Sequence, residues 1–249
     1  MPQTFALYNL KGGVGKTAAT VNLAWHDAEA GLRTLVWDLD PQGAASFYLR
    51  AELDEADSAD HWLKSKHFAD RICGTDFVNL DIIPASLALR HIDVELASRK
   101  HAGERLQRLL EGLPFEYDLI LLDCAPSLSM VSENVFALAD TVMVPVIPTH
   151  LSVRAYKQLA PFARTPGQLM PFFSMVDRRR SLHRQLIGEF AAAHPELLRR
   201  FVPYTSDIEK MGTYRAPVGT FSRASVGARA FKSLWEAVAE RTQLLPATA

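Results

Sequence analysis

The chain's first chemically suggestive segment is Lys11-Gly12-Gly13-Val14-Gly15-Lys16-Thr17. Glycines let a backbone come close to phosphate oxygens and aim its N–H groups at them. A helix starting at Lys16 would add the positive end of its dipole. Lys16 is long enough to reach β- and γ-phosphates, and the Thr17 hydroxyl can ligate magnesium. The spacing departs from the general G-x-x-x-x-G-K-[ST] pattern. Leu10 stands where the first glycine belongs, the glycines sit at 12 and 13, and Lys11 is an additional cation. A glycine-rich turn with incidental lysines is the competing reading, and a strand before and a helix after argue against it.

Two acidic strand ends complete the candidate chemistry. Asp118–Leu122 is a continuous apolar run of the kind buried on both faces of a parallel sheet. Asp123 then emerges at the carboxyl end of that strand, the edge where open α/β sheets bind ligands. A carboxylate there can hold magnesium, usually through a water. Its other reading is a cap for a helix from Leu128, for which Ser127 is better placed. Asp38 and Asp40 follow the strand Thr34–Trp37 and fall on the same edge, with Asp40 in reach of a γ-phosphate. Asp38 suits a structural or indirect magnesium role, and Trp37 suits the core.

These segments resemble the ParA/MinD superfamily of ATPases, whose phosphate loop deviates in the same way. Lys11–Thr17 (KGGVGKT) matches that loop. Asp38–Gly43 (DLDPQG), Tyr117–Ser127 (YDLILLDCAPS), Val144–Val146 (VPV) and Ser225–Phe231 (SVGARAF) are similar to its other segments, so the resemblance spans nearly the whole chain. It is closest to small ParA-type, Soj-like partition ATPases. It implies ATP and Mg2+ as cofactors, with Lys11, Gly12, Gly13, Val14, Gly15, Lys16, Thr17 and Ala18 around the nucleotide. Thr17, Asp123 and Asp40 would surround the metal. It also implies a homodimer with ATP sandwiched between subunits, Lys11 reaching the partner's nucleotide, and Asp40, Lys11 and Lys16 in catalysis. The family's arginine after the proline in its late PRN segment is absent here, where Pro203-Tyr204-Thr205 stands.

Holding these residues together requires alternating strands and helices. Strands are expected at Thr4–Tyr8, Thr34–Trp37, Val78–Ile83, Asp118–Leu122, Thr141–Ile147 and Leu169–Val176. Helices are expected at Lys16–Ala30, Ser86–Ser98, Gly103–Leu113, Leu128–Ala139, Leu151–Phe162, Ser181–Ala193, Asp207–Gly212 and Ala224–Leu244, with a helical insertion over 51–70. That alternation, without a repeat or long linker, predicts one α/β domain over 1–249: a doubly wound, mostly parallel sheet flanked by helices, a P-loop NTPase with a deviant Walker A loop.

Composition narrows the setting. With 48% hydrophobic and 22% charged residues, a globular protein with a sizeable core is expected. No signal-peptide pattern and no run of eighteen apolar residues is present, so a cytoplasmic location is expected, and the resemblance implies association with the nucleoid. Cys73 and Cys124 lack metal or CxxC spacing and read as buried small hydrophobes. Net charge is −1, but residues 1–150 hold 12 Lys/Arg against 21 Asp/Glu, and residues 151–249 hold 15 against 7. The basic C-terminal portion suits an anionic partner or a set of solvated faces. In the family such arginines bind DNA without sequence preference, so Arg178, Arg179, Arg184, Arg215 and Arg223 are candidates. A ParB-like or other adaptor would stimulate hydrolysis and release.

Two alternatives remain. A MinD-like membrane switch would need a basic amphipathic tail. Phe231, Leu234, Trp235 and Val238 share a face, but Glu236 and Glu240 offset Lys232 and Arg241, and the tail ends Pro246-Ala247-Thr248-Ala249, so a core-packed helix is expected. A metabolic or redox relative bridging an iron–sulfur cluster would need two suitably placed cysteines per subunit, a pattern not matched here.

Overall fold

Eight strands form one sheet in the order β3-β4-β2-β5-β1-β6-β7-β8. They are β1 (Gln3–Leu7), β2 (Thr34–Asp38), β3 (Cys73–Gly74), β4 (Leu80–Ile83), β5 (Leu119–Asp123), β6 (Thr141–Val146), β7 (Leu169–Val176) and β8 (Phe201–Pro203). All neighbours pair in parallel except β3 with β4. The computed structural model describes residues 2–52, 58–64, 68–99, 101–113, 116–165 and 167–245. Strands β2 to β5 lie on one side of β1 and β6 to β8 on the other. The connections therefore diverge at the carboxyl end of β1, where such sheets open a ligand crevice.

The apolar runs of the central strands are buried on both faces, as strands between two helical layers must be. Ala6, Leu35, Trp37, Ile120, Leu122, Val142 and Val144 enter one core. Phe5, Leu7, Val36, Leu119, Leu121 and Met143 enter the other. Helices Met130–Leu138, His150–Leu159 and Ser181–Ala193 supply Val135, Phe136, Tyr156, Leu159 and Phe190 to the first core. Helices Lys16–Glu29 and Val226–Thr242 supply Leu23, Ala24, Phe231, Leu234 and Val238 to the second. Burying each of the last three stabilises the fold by about 2 kcal/mol. The apolar face of the final helix is thus spent on the core, as expected. Among the described residues no helix is long and apolar enough to cross a membrane.

Those two helices are also fastened by polar contacts. Trp235 Nε1 donates to the buried Asp27 Oδ1 at 2.6 Å. His26 lies against both Trp25 and Trp235. Gly219 leaves no room for a side chain, since a Cβ there would fall 2.1 Å from the Trp25 ring.

Several elements differ from expectation. Ser86–Ser98 divides into a 3-10 turn, Leu87–His91, and a short α-helix, Ile92–Ala97. Gly103–Leu113 likewise divides into Ala102–Glu104 and Arg105–Glu111, and Asp207–Gly212 becomes Ser206–Glu209 and Met211–Tyr214. The helix expected from Leu128 starts at Met130. Ser129, not Ser127, caps it, exchanging hydrogen bonds with Ser132 in a capping box. Cys124 is buried but Cys73 is exposed, because it lies on the two-residue edge strand β3. Within 51–70, helix Ala59–Trp62 and the turn Ala69–Arg71 are formed. Residues 53–57 and 65–67, and the tail 246–249, lie outside the described residues.

Candidate functional site

The Lys11–Thr17 loop joins β1 to helix Lys16–Glu29 at the carboxyl edge of the sheet. Its shape follows from local chemistry. Gly13 and Gly15 have φ of +68° and +91°, a region costly for other residues. Gly15 is doubly constrained, since a Cβ there would lie 2.8 Å from Ser174 Oγ on β7. Gly12 and Gly13 are exposed and Val14 is buried. Asn9 anchors the loop's entrance: its fully buried amide donates to Pro145 O at 2.8 Å, and its Oδ1 accepts from the Lys11 N–H at 2.9 Å. Gly15 occupies the helix N-cap and offers no side-chain cap, so the helix's first N–H groups face the loop.

The acidic strand ends converge beneath the loop. Asp38 and Asp123 are register partners on β2 and β5, and both are fully buried. Asp123 Oδ2 accepts from Thr17 Oγ1 at 2.7 Å and Oδ1 from Thr20 Oγ1 at 3.1 Å. Burial, followed by repulsion from Asp38, pushes the Asp123 carboxyl well above the usual carboxylate range. Asp38 is also raised, mainly by burial, although Ser46 offsets part of the effect. Both the Ser46 N–H and hydroxyl donate to Asp38 Oδ2, at 2.8 and 2.7 Å. Asp38 therefore serves as the structural tie for helix Ala44–Tyr48. Lys16 is buried, which lowers its ammonium pKa, and the charge of Asp123 partly restores it.

Asp40 lies just beyond and is partly exposed. Its Oδ1 accepts from the Gln42 N–H at 2.9 Å and its carbonyl from the Gly43 N–H at 2.8 Å, a tight turn that delivers the chain into helix Ala44–Tyr48. Lys11 on the loop and Ala18 in the helix that follows are partly exposed. Lys11, Lys16, Thr17, Asp40 and Asp123 thus share one edge. An apolar pocket borders it, lined by Gly15, Ala18, Ser174, Val202, Tyr204 and Ile208 among others.

The donor set fits a magnesium ion. One threonine hydroxyl and one carboxylate are hard oxygen donors, the type that binds magnesium alongside waters and phosphates. Among the described residues no group of three or more His, Cys, Asp or Glu forms a self-sufficient metal cage. The glycine loop, with uncapped N–H groups above Lys16, fits a phosphate chain.

Thr20, Asn9, Ser46 and Ser174 were not singled out from sequence. Thr20 had a signal, since it lies three residues after Thr17 on the same helix and so faces the same way. Ser174 is brought to the loop only by the sheet, and Asn9, two residues before Lys11, meets Pro145 only because β6 lies beside β1.

The five arginines are distributed unequally. Arg178, Arg179 and Arg184 are exposed after β7, with Arg184 Nη1 donating to the carbonyls of Arg178 and Arg179 at 2.7 and 3.3 Å. Arg178 lies over the Phe201 ring. Arg179 is paired with Asp177, whose carboxyl its guanidinium holds at about 2. Arg223 is exposed just before the final helix. Arg215 is packed over the ring of Phe47, 4.7 Å from its centroid.

A mostly parallel, doubly wound sheet with this loop and these strand-end acids defines a phosphate-loop nucleoside triphosphatase. Comparison with known proteins narrows the class. A protein-family model described as an AAA domain matches residues 2–166. The sporulation initiation inhibitor protein Soj of Bacillus subtilis (strain 168) is 30% identical over 250 residues, covering 96% of this chain and 99% of Soj. A plasmid partition protein from Borrelia burgdorferi B31, solved with AMPPNP, superposes with a TM-score of 0.82 at 20% identity, covering 97% of this chain and 100% of that one. A cobyrinic acid a,c-diamide synthase from Mycobacterium smegmatis, solved with ADP and magnesium, gives 0.80 at 24% identity, covering 98% and 96%. At such identities the two structures speak for the fold alone. The chain belongs to the ParA/MinD superfamily, and it is an ATPase.

Proposed function

We propose that this ATPase is a nucleotide-gated dimeric switch that binds DNA without sequence preference and positions or segregates a cargo, with hydrolysis stimulated by a ParB-like or other adaptor. The observation that carries this reading is the surface around the phosphate loop. Leu87, Leu128, Leu151 and Leu182 are exposed large apolar side chains, and each follows the carboxyl end of a strand: β4, β5, β6 and β7 respectively. Exposed apolar residues gathered at one edge favour an interaction surface. A second copy seated there would cover the rim, enclose the nucleotide and bring its own Lys11 to the bound phosphates.

Within each site, Lys16 neutralises phosphate charge and the loop's N–H groups orient the phosphate chain. Thr17 and Asp123 would hold magnesium, which supplies charge stabilisation at the transferring phosphoryl group. Asp40 orients the attacking water, an effect of placement more than proton affinity. Arg178, Arg184 and Arg223, with Arg179 and Arg215 as further candidates, are the basic side chains available to a nucleic-acid backbone. Contacts to phosphates alone give sequence-independent binding that weakens steeply with salt. Occupancy of the γ-phosphate position would couple dimerisation to DNA retention. On this reading the protein works in the cytoplasm, on the nucleoid.

The test is direct. With Mg-ATP, purified protein shifts from monomer to dimer by light scattering and retains DNA at low salt, while ADP supports neither. Liposome binding without DNA binding would refute the proposal.

A further inference from the structure

Helix Ala44–Tyr48 begins directly after the Asp40–Gly43 turn, so whatever fixes this helix fixes Asp40. Its inner side is held by the Ser46–Asp38 bonds, and Ser46 Oγ also accepts from the Ala85 N–H at 2.9 Å. Its outer side borders a cavity of about 410 Å³, lined by Gln42, Gly43, Phe47, Tyr48, Gly212 and Arg215 among others. Core packing does not fill that side. Two arginines bridge it.

Arg215 Nε donates to Phe47 O at 3.0 Å, and its guanidinium lies over the Phe47 ring. Arg50, just past the same helix, reaches back in the other direction. Its Nε donates to Arg215 O at 3.0 Å and its Nη2 to Tyr214 O at 3.2 Å, while Nη1 pairs with Asp76 at 2.7 Å. Each arginine thus bonds a carbonyl at the C-terminal end of the other's helix, Ala44–Tyr48 or Met211–Tyr214. The backbone adds an independent observation. Arg50 and Arg215 have φ of +60° and +47°. Both stand where a helix ends in the left-handed region, the position at which glycine is the low-cost residue. A non-glycine residue persists there when its surroundings over-determine it. Termination of the two helices needs no side chain at either position, yet both carry arginines whose side chains bond the other's helix end.

We infer that Arg50 and Arg215 are positioning residues for ATP hydrolysis: a reciprocal clasp that holds helix Ala44–Tyr48, and with it the Asp40 turn, at the working distance from the phosphate loop. The inference rests on the proposed catalytic role of Asp40. It gives Arg215 a task that needs no DNA, and it ties the turn before the helix to the segment Met211–Arg215.

The experiment uses Arg50→Gly, Arg215→Gly, the double variant and Asp40→Ala in the full chain, without DNA or adaptor. Steady-state turnover is measured beside the affinity for a fluorescent N-methylanthraniloyl ATP and the melting temperature. Glycine relieves the backbone at both positions, so an arginine that does no more than fill its position predicts equal or higher melting temperature with unchanged turnover, and a purely stabilising role predicts a lower melting temperature. The clasp predicts a kcat about tenfold lower, as expected for a misplaced reacting group. Nucleotide affinity stays within about twofold, melting temperature is not reduced, and the double variant is no slower than the slower single one, as for partners in one unit. Turnover within about twofold of wild type in both single variants overturns the inference, as does a loss of turnover matched by lost affinity or lower melting temperature. Asp40→Ala separates the two readings. If it abolishes turnover while the glycine variants are normal, only the clasp fails. If it retains turnover, the catalytic role of Asp40 fails, and the clasp with it.

Discussion

Replacing Asp27 by asparagine should make the protein more stable at neutral and alkaline pH while changing little in acid. Asp27 is 2% exposed, and Trp235 Nε1 donates to its Oδ1 at 2.6 Å. Burial lifts its carboxyl from 3.8 to about 7, with the Trp235 bond offsetting part of the rise. A carboxyl raised on folding favours the folded state least when it must be ionised. Its contribution is intact below the unfolded value near 3.8, declines as pH rises, and is lost above about 7. That interval corresponds to about 4 kcal/mol. Asparagine keeps the acceptor for Trp235 and cannot ionise. The advantage of Asp27→Asn should therefore be near zero at pH 4, grow through pH 5 and level off near 4 kcal/mol above pH 7. His26, close by, is held down at about 4 by burial and by Lys232. Its own pH dependence is common to both proteins and cancels in the difference. Urea unfolding of the two proteins at pH 5 and pH 8 measures the effect, which should be larger at pH 8 by about 3 kcal/mol. An advantage that does not change with pH, or a variant less stable than wild type at pH 8, would refute the assignment of a buried, ionisation-averse carboxyl at this seam.

Two further predictions concern the phosphate loop. Gly15→Ala combines a left-handed φ with a Cβ 2.8 Å from Ser174 Oγ, so it should weaken ATP binding at least tenfold by isothermal titration. Adding Ser174→Ala should recover only part of that loss, because the backbone cost of about 1–2 kcal/mol remains. Lys11→Ala should leave ATP binding by the monomer within a few-fold of wild type but remove the Mg-ATP dimer in light scattering; a dimer of normal affinity would withdraw Lys11 from the shared interface.

The parts of the site that were legible in sequence are those fixed by long, self-contained signals. Strand β5 is five consecutive buried residues ending in Asp123, and the glycine–lysine–threonine turn stands between a strand and a fourteen-residue helix. The missing parts are short elements stabilised by partners distant in sequence. Helix Ala44–Tyr48 has five residues, too few to be stable by propensity, and exists because Ser46 meets Asp38 and Arg215 meets Phe47. Strand β8 has three residues and β3 two, and both are defined only by their pairing. Asn9 carries no motif of its own, since its role appears only when β6 brings Pro145 alongside. The exposure of Cys73 follows from an edge strand that no period in the sequence announces.

The bond between Asp27 and Trp235 spans 208 positions of sequence. It fastens the helix that begins at the phosphate loop to a helix made much later. At a synthesis rate of roughly 5–20 residues per second, that partner follows after about 10–40 s. During this interval, Leu23, Ala24 and Ala28 on the nascent helix lack the Phe231, Leu234 and Val238 that later join them in the same core. The nucleotide site is therefore encoded early and braced late, and a chain cut short before residue 226 would carry the whole loop without the helix that packs beside its own.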